Sequence, residues 1–263
     1  MIVRPAGNAH VAPKPNGFIP VWQAVEKTQK LRAERYWLIT QPDHATLSGR
    51  LAASFAPEQF PDLSPEVVHC IGLHDAGWEP FDGVLPSPQT PSLGADGKPL
   101  TFTEMKPKTF LTAWSGSVAR AVALTPLGGA MVSQHFCWLA KHRLRNPEDS
   151  PEDVQHIQQF VETEKHRQRS LAEQGATHEP VSRLLEILQF CDLLSLYICC
   201  GATDDVEFPQ DFGRGPVRLR RSSGSAVLEP SPLAASAGFE VAGFVFPGPS
   251  TPPDVVTVNC ELR

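Results

Sequence analysis

An imidazole and a carboxylate stand side by side in His74-Asp75, within Cys70-Ile-Gly-Leu-His-Asp-Ala-Gly-Trp78 at the end of an apolar run. His44 precedes the pair in Gln41-Pro-Asp-His44, and Asp192 follows far downstream in Leu188-Gln-Phe-Cys-Asp192. Imidazole nitrogen and carboxylate oxygen are the donors a divalent metal of borderline hardness selects, and such an ion makes hydroxide available from water at neutral pH. The residue types therefore suggest a reaction class without naming a substrate.

The elements that must position these groups read as helices. Pro42 sits where a first-turn proline is tolerated, and Ala45, Leu47, Leu51 and Ala52 keep a helical period, so His44 should point inward from the first turn. Ser64-Pro65-Glu66 is a start signal for a helix with Val67, Cys70, Ile71 and His74 on one face, stopped by Gly77. Three further helices are predicted near 108–124, 128–144 and 151–174, and a shorter one near 21–32. A last, strongly apolar helix at 180–200 places Asp192 on the same face as Leu185 and Leu188, with Ser195 three residues ahead. An ionised carboxylate there must be compensated by an arginine, a set of donors or a metal. Taken alone, Asp192 is better read as a hydrogen-bonded buried aspartate, and His44 as a satisfied core histidine.

Other features narrow the class. The 263 residues are 41% hydrophobic and 20% charged with a net charge of −6, which suits a globular protein and argues against nucleic acid as partner. No apolar run is long enough to span a bilayer, and the amino-terminal stretch lacks a secretory core, so a cytoplasmic, non-membrane protein is expected. Six cysteines without a C-x-x-C pair read as reduced core residues. Four arginines between Arg214 and Arg221 read as outward positions of an edge strand rather than a polyanion site. Residues 80–108 are rich in proline and glycine without periodicity, as expected of a loop or lid. Beyond residue 201, short β-prone runs at 218–220, 240–246 and 255–262 suggest a small sheet.

The order His44, then His74-Asp75, then Asp192 on a late apolar helix resembles the HD-domain superfamily of metal-dependent phosphohydrolases. Gln41-Pro-Asp-His44-Ala, His74-Asp75-Ala-Gly-Trp78, Phe81-Asp82 and Ser133-Gln134-His135 are similar more narrowly to the bacterial family DUF3891. The resemblance implies that His44, His74, Asp75 and Asp192 ligate one divalent ion, whose identity among Fe, Mn, Zn, Ni and Mg it leaves open. It makes His135 the fifth residue, able to serve a second ion, contact a substrate phosphate or stabilise negative charge as imidazolium. Its other reading is a histidine at a helix core edge. Asp75 or Asp82 would steer the nucleophile, and Trp78 and Gln134 would shape the substrate pocket. His142 and His166 are the only further candidates for a dinuclear site.

The expectation is thus a mainly α, HD-like helical bundle with a small carboxyl-terminal β-rich appendage. Residues 1–35 would form an amino-terminal extension, 36–201 the helical core and 202–263 the appendage. The expected activity is metal-dependent hydrolysis of a small, phosphorylated molecule. The alternatives are a di-iron oxygenase, which needs six protein ligands, and a metal- or ligand-binding module without turnover. Neither oligomeric state nor substrate can be read from the sequence.

Overall fold

The brief apolar run before His44 is a strand, and it ties both ends of the chain into one sheet. In the computed structural model, which describes residues 1–6, 17–85, 87–176, 178–222, 225–248 and 254–263, the chain begins with β1 (Ile2–Ala6), β2 (Ile19–Pro20), α1 (Val21–Gln29) and β3 (Arg35–Ile39). The helices α2 (Gln41–Ala53) and α3 (Pro65–Gly72) follow, then a 3-10 turn at Ala76–Trp78 and α4 (Glu79–Asp82). A small hairpin, β4 (Gly83–Val84) and β5 (Ser87–Pro88), leads to the long helices α5 (Pro107–Leu124), α6 (Pro126–Arg143), α7 (Pro151–Glu173) and α8 (His178–Cys200). The chain ends with β6 (Val206–Glu207), β7 (Arg218–Ser222), β8 (Ser225–Glu229), β9 (Ala237–Phe246) and β10 (Val255–Leu262). Residues 7–16, most of the expected opening loop, lie outside those described.

Eight strands form one mixed sheet in the order β1-β3-β9-β10-β8-β7-β6-β2, curled into a half-barrel. The register joins distant segments: Tyr36 pairs with Phe246 and Leu38 with Phe244, while Ile19 lies beside Val206 in a parallel pair. Both edges come from the amino-terminal residues, and Pro5 in β1 and Pro20 in β2 sit where a missing backbone donor is tolerated. The protein is therefore an α/β fold, about 50% helical. That overturns the expectation of a mainly α bundle with a small β appendage. The physical reason is that pairing between residues two hundred positions apart leaves no local period to read. The arginine-rich run likewise lies inside the sheet as β7, between β6 and β8, and not at an edge. Its alternation is as expected, with Leu219 buried and Arg218 and Arg220 exposed.

The helix α8 packs against α1, α2 and α6, with Leu184, Leu188, Cys191, Leu194 and Tyr197 fully buried. All six cysteines are free and buried. Among the described residues no helix is long and apolar enough to cross a membrane.

One boundary matters for the site. The expected helix carrying His74 ends at Gly72 instead, and His74 and Asp75 lie in the turn between α3 and the 3-10 turn. Successive side chains on an α-helix diverge by about 100°, so leaving the helix is what lets neighbours face one point. Glycine permits the path: a Cβ on Gly77 would lie 1.9 Å from the Ala113 carbonyl oxygen, and its N–H donates to Ser117 Oγ at 2.9 Å. We expect Gly77→Ala to lower stability by roughly 1–3 kcal/mol, the usual cost of overpacking, read as a drop in thermal midpoint by circular dichroism. An unchanged midpoint would refute the close packing of this turn on α5.

Candidate metal centre

Each ligand candidate is held by its own element. Thr40 caps α2, its Oγ1 accepting from Asp43 N–H at 3.1 Å, and the Asp82 carboxylate accepts the Gln41 N–H at 3.0 Å. These contacts fix the first turn, from which His44 projects inward, fully buried. His74 is held in its turn by Nδ1, 2.9 Å from the Ile71 carbonyl oxygen. Asp192 comes from the middle of α8 and is 8% exposed, and Asp75 is 9% exposed.

The four groups converge. His44 Nε2 is 3.1 Å from Asp192 Oδ1 and 3.8 Å from Asp75 Oδ2, while His74 Nε2 is 3.6 Å from Asp75 Oδ2 and 3.5 Å from Asp192 Oδ1. Ligands placed about 2.1 Å from one ion, at tetrahedral or octahedral angles, stand roughly 3.0–3.4 Å apart. The observed separations, 3.1–3.8 Å, begin within that range and extend slightly beyond it. A fifth group adjoins them: His135 Nε2 is 3.7 Å from Asp192 Oδ2, and His74, His135 and Asp192 form a second cluster of possible ligands. These buried histidines and aspartates could hold a metal ion.

Neighbouring hydrogen bonds decide which nitrogens face the centre. His44 Nδ1 is 2.6 Å from Ser195 Oγ, and that hydroxyl donates to the Asp192 carbonyl oxygen at 2.9 Å. Ser195 then accepts from Nδ1–H, which turns Nε2 of His44 toward the centre. Ser48 Oγ, 2.8 Å from Ser195 Oγ, completes the chain of hydroxyls. His74 is fixed in the same sense by its bond to Ile71, and its Nε2 has no hydrogen-bond partner despite full burial. Such outer partners orient ligands and raise their basicity.

The electrostatics point the same way. Burial would raise the Asp192 carboxyl, yet the imidazoles of His44 and His74 beside it hold it well below the usual carboxylate range. Burial pushes the Asp75 carboxyl up, against the pull of His74 and His44. Burial alone would lower His74, but Asp75 and Asp192 hold its imidazole up to about 9. Two buried carboxylates thus demand a positive charge, and in the absence of an ion a proton on His74 supplies it. His135 behaves differently: burial brings it down to about 4, only partly opposed by Asp192, so it is neutral at physiological pH.

The centre opens into a cavity of about 780 Å³, whose wall includes His44, Asp75, His135, Asp192 and Trp78. The carboxyl-terminal sheet segment forms part of the same wall through Glu207, Phe208, Pro209 and Gln210. From residues 80–108, Phe102 reaches it among the described residues. Two expected site residues are not brought there. Asp82 holds the Gln41 amide and the Met1 amino group, the latter at 3.1 Å, and Gln134 is half-buried beside the lining residues rather than among them. His142 lines the cavity with its ring 4.1 Å from that of Trp138, whereas His166 is exposed beside Arg169.

The sequence reading missed Ser48 and Ser195 as supports, although each lies on a ligand's own helix face, four residues after His44 and three after Asp192. It also missed Gln41, Gln189 and Gln210 in the cavity wall; Gln189, three residues before Asp192, was legible from spacing, and Gln210 was not. We expect Ser195→Ala to leave helical content unchanged and to weaken metal binding about 10–100-fold, as loss of a ligand's outer hydrogen bond does. Competition against a chromophoric chelator measures this, and unchanged affinity would remove Ser195 from the site.

Comparison with known proteins adds a family and no activity. No curated protein and no solved structure gave a match. The model of one family, described as a protein of unknown function (DUF3891), matches residues 29–240, a span that contains every ligand candidate. The chain belongs to the DUF3891 family.

Proposed function

We propose that this chain is a metal-dependent hydrolase of the HD type, acting on a phosphoester of a small molecule. The observation that carries the reading is the convergence of His44 Nε2, His74 Nε2, Asp75 Oδ2 and Asp192 Oδ1, with separations of 3.1–3.8 Å, at the wall of a cavity of about 780 Å³. Cavities of roughly 300–1,000 Å³ enclose small molecules rather than polymers. The two-histidine, two-carboxylate set fits a borderline divalent ion, which supplies Lewis acidity: it makes water a nucleophile at neutral pH and polarises the bond attacked.

The protein's own groups do the rest. His44, His74 and Asp192 would hold the ion, fixed by Ser195, Ile71 and the α8 backbone. Asp75, whose carboxylate lines the cavity, would ligate and orient the attacking water. His135, neutral and with Nδ1 unpartnered, offers a hydrogen bond to the group that develops charge. Trp78, only 1% exposed, closes the floor against bulk solvent. The free, buried state of all six cysteines favours a cytoplasmic setting.

The cluster of His74, His135 and Asp192 favours a second reading, in which a further ion is held there. Five protein ligands would then serve two ions, one short of the six that the di-iron oxygenase alternative needs.

Metal analysis of protein purified without chelators tests the proposal. Stoichiometric divalent metal is expected, with hydrolysis of at least one member of a phosphoester panel. Asp192→Ala and His74→Ala should each lose the metal and at least about 100-fold in turnover with helical content retained. Metal-free protein, or either variant with unaltered activity, would contradict it. Bound metal without any hydrolysis would support the binding module instead.

A further inference from the structure

The cavity beside the candidate centre has a chemical bias of its own. Its wall is rich in aromatic rings, with Phe18, Trp22, Trp78, Phe102, Trp114 and Trp138 contributing. It includes no lysine or arginine among the described residues, but four carboxylates: Asp75, Glu186, Asp192 and Glu207. Asp75 and Asp192 belong to the metal centre. Glu207 is neutralised by Arg218, with Nε and Oε2 2.8 Å apart. Arg218 and Arg220 stack over Phe18, with guanidinium carbons 5.1 and 4.9 Å from its ring centre, and Arg220 also faces Glu229 at 3.9 Å. Each of these guanidiniums therefore already has a carboxylate partner, Glu207 for Arg218 and Glu229 for Arg220. His135 is neutral. Glu186, half-buried, makes no ion pair or hydrogen bond among the described residues, and it is the charge left unmatched.

Glu186 stands in line with the centre. Glu186, Gln189, Asp192, Leu193 and Leu196 all face the cavity from α8, the spacing of one helix face. Six residues separate Glu186 from Asp192, a rise of about 9 Å along the helix. Unpartnered buried amide atoms occur in the same wall, both Oε1 and Nε2 of Gln41 and Oε1 of Gln210, with these residues 1% and 5% exposed. Trp22 and Trp138 are 41% and 46% exposed although large and apolar. Aromatic faces attract cations and a lone carboxylate does the same, whereas an anion would meet like charge and the negative faces of the rings.

From these observations we infer that the cavity takes a substrate carrying a positive charge, an amine or quaternary ammonium on a short apolar body. The charge lies against Glu186 and the tryptophans, about 9 Å from the group held at the metal centre. The inference deepens the proposed hydrolase: a phosphoester with an ammonium group would be zwitterionic and would bring one less unit of negative charge into the cavity.

Binding of simple probes tests it without turnover. Four of the five tryptophans, Trp22, Trp78, Trp114 and Trp138, line the cavity, so their fluorescence reports occupancy. The protein as purified is titrated with benzyltrimethylammonium, its uncharged isostere neopentylbenzene, and phenylmethanesulfonate, an anion that is a poor metal ligand. The ammonium should bind about tenfold or more tightly than the isostere, and the sulfonate least well. Glu186→Gln should remove that advantage and leave the isostere unaffected. Glu186→Lys should reverse the order of ammonium and sulfonate, and Trp138→Leu should weaken the ammonium more than the isostere. No binding, equal binding of the three probes, or an ammonium advantage that survives Glu186→Gln would overturn the inference. Ammonium binding in protein that holds no metal and hydrolyses nothing would refute the hydrolase reading alone; metal and hydrolysis without charge preference would refute this inference alone.

Discussion

Two carboxylates buried in one place are the constraint around which this protein is arranged. Asp75 and Asp192 lie in an interior where an unpaired charge costs several kcal/mol, and the side chains nearest to them are histidines rather than arginine or lysine. An imidazole can compensate an anion by taking a proton, and His74 is held up to about 9 for that purpose. Imidazole nitrogens can equally join the carboxylates around a cation, and the 3.1–3.8 Å spacing suits the second arrangement as well as the first. A purely structural buried cluster would leave no nitrogen without a partner. Here His135 Nδ1 has no hydrogen-bond partner, and His74 Nε2 meets Asp192 and Asp75 only at 3.5 and 3.6 Å.

The scaffold serves that convergence. The Thr40 cap and the Asp82 carboxylate start α2, so His44 enters from a fixed first turn. The close approach of Gly77 to α5 lets the chain leave its helix, so that His74 and Asp75 face one point. Helix α8 carries Asp192 and the Ser195 hydroxyl that orients His44. The curled sheet closes the far side, with β2 and the residues after β6 supplying Phe18, Ile19, Phe208 and Gln210 to the cavity. An aromatic wall without lysine or arginine among the described residues lies beside the metal-type donor set.

Much of this was legible in the sequence, and what was not shares one cause. Helix starts at Pro65, Pro151 and around Gln41 carry local signals, because a serine or threonine cap and a first-turn proline act within four residues, and Pro107 carries the proline signal alone. The grouping of His44, His74-Asp75 and Asp192 could be anticipated because each lies on or beside an apolar helix face. The sheet could not. Strand β3 gains its neighbours from Ile2–Ala6 and Ala237–Phe246, and no local period announces that pairing. The cavity was hidden for the same reason, since Phe18, Trp138 and Gln210 meet only once the sheet has closed.

X-ray absorption at the edge of whichever metal the purified protein retains tests the central claim most directly. The account predicts a first shell of nitrogen and oxygen scatterers at about 2.0–2.2 Å that includes two imidazoles, recognisable by their outer-shell scattering, with no sulfur despite six cysteines. One imidazole should disappear in His44→Ala. A sulfur-containing shell, or a shell without imidazole, would place the metal elsewhere and contradict the account.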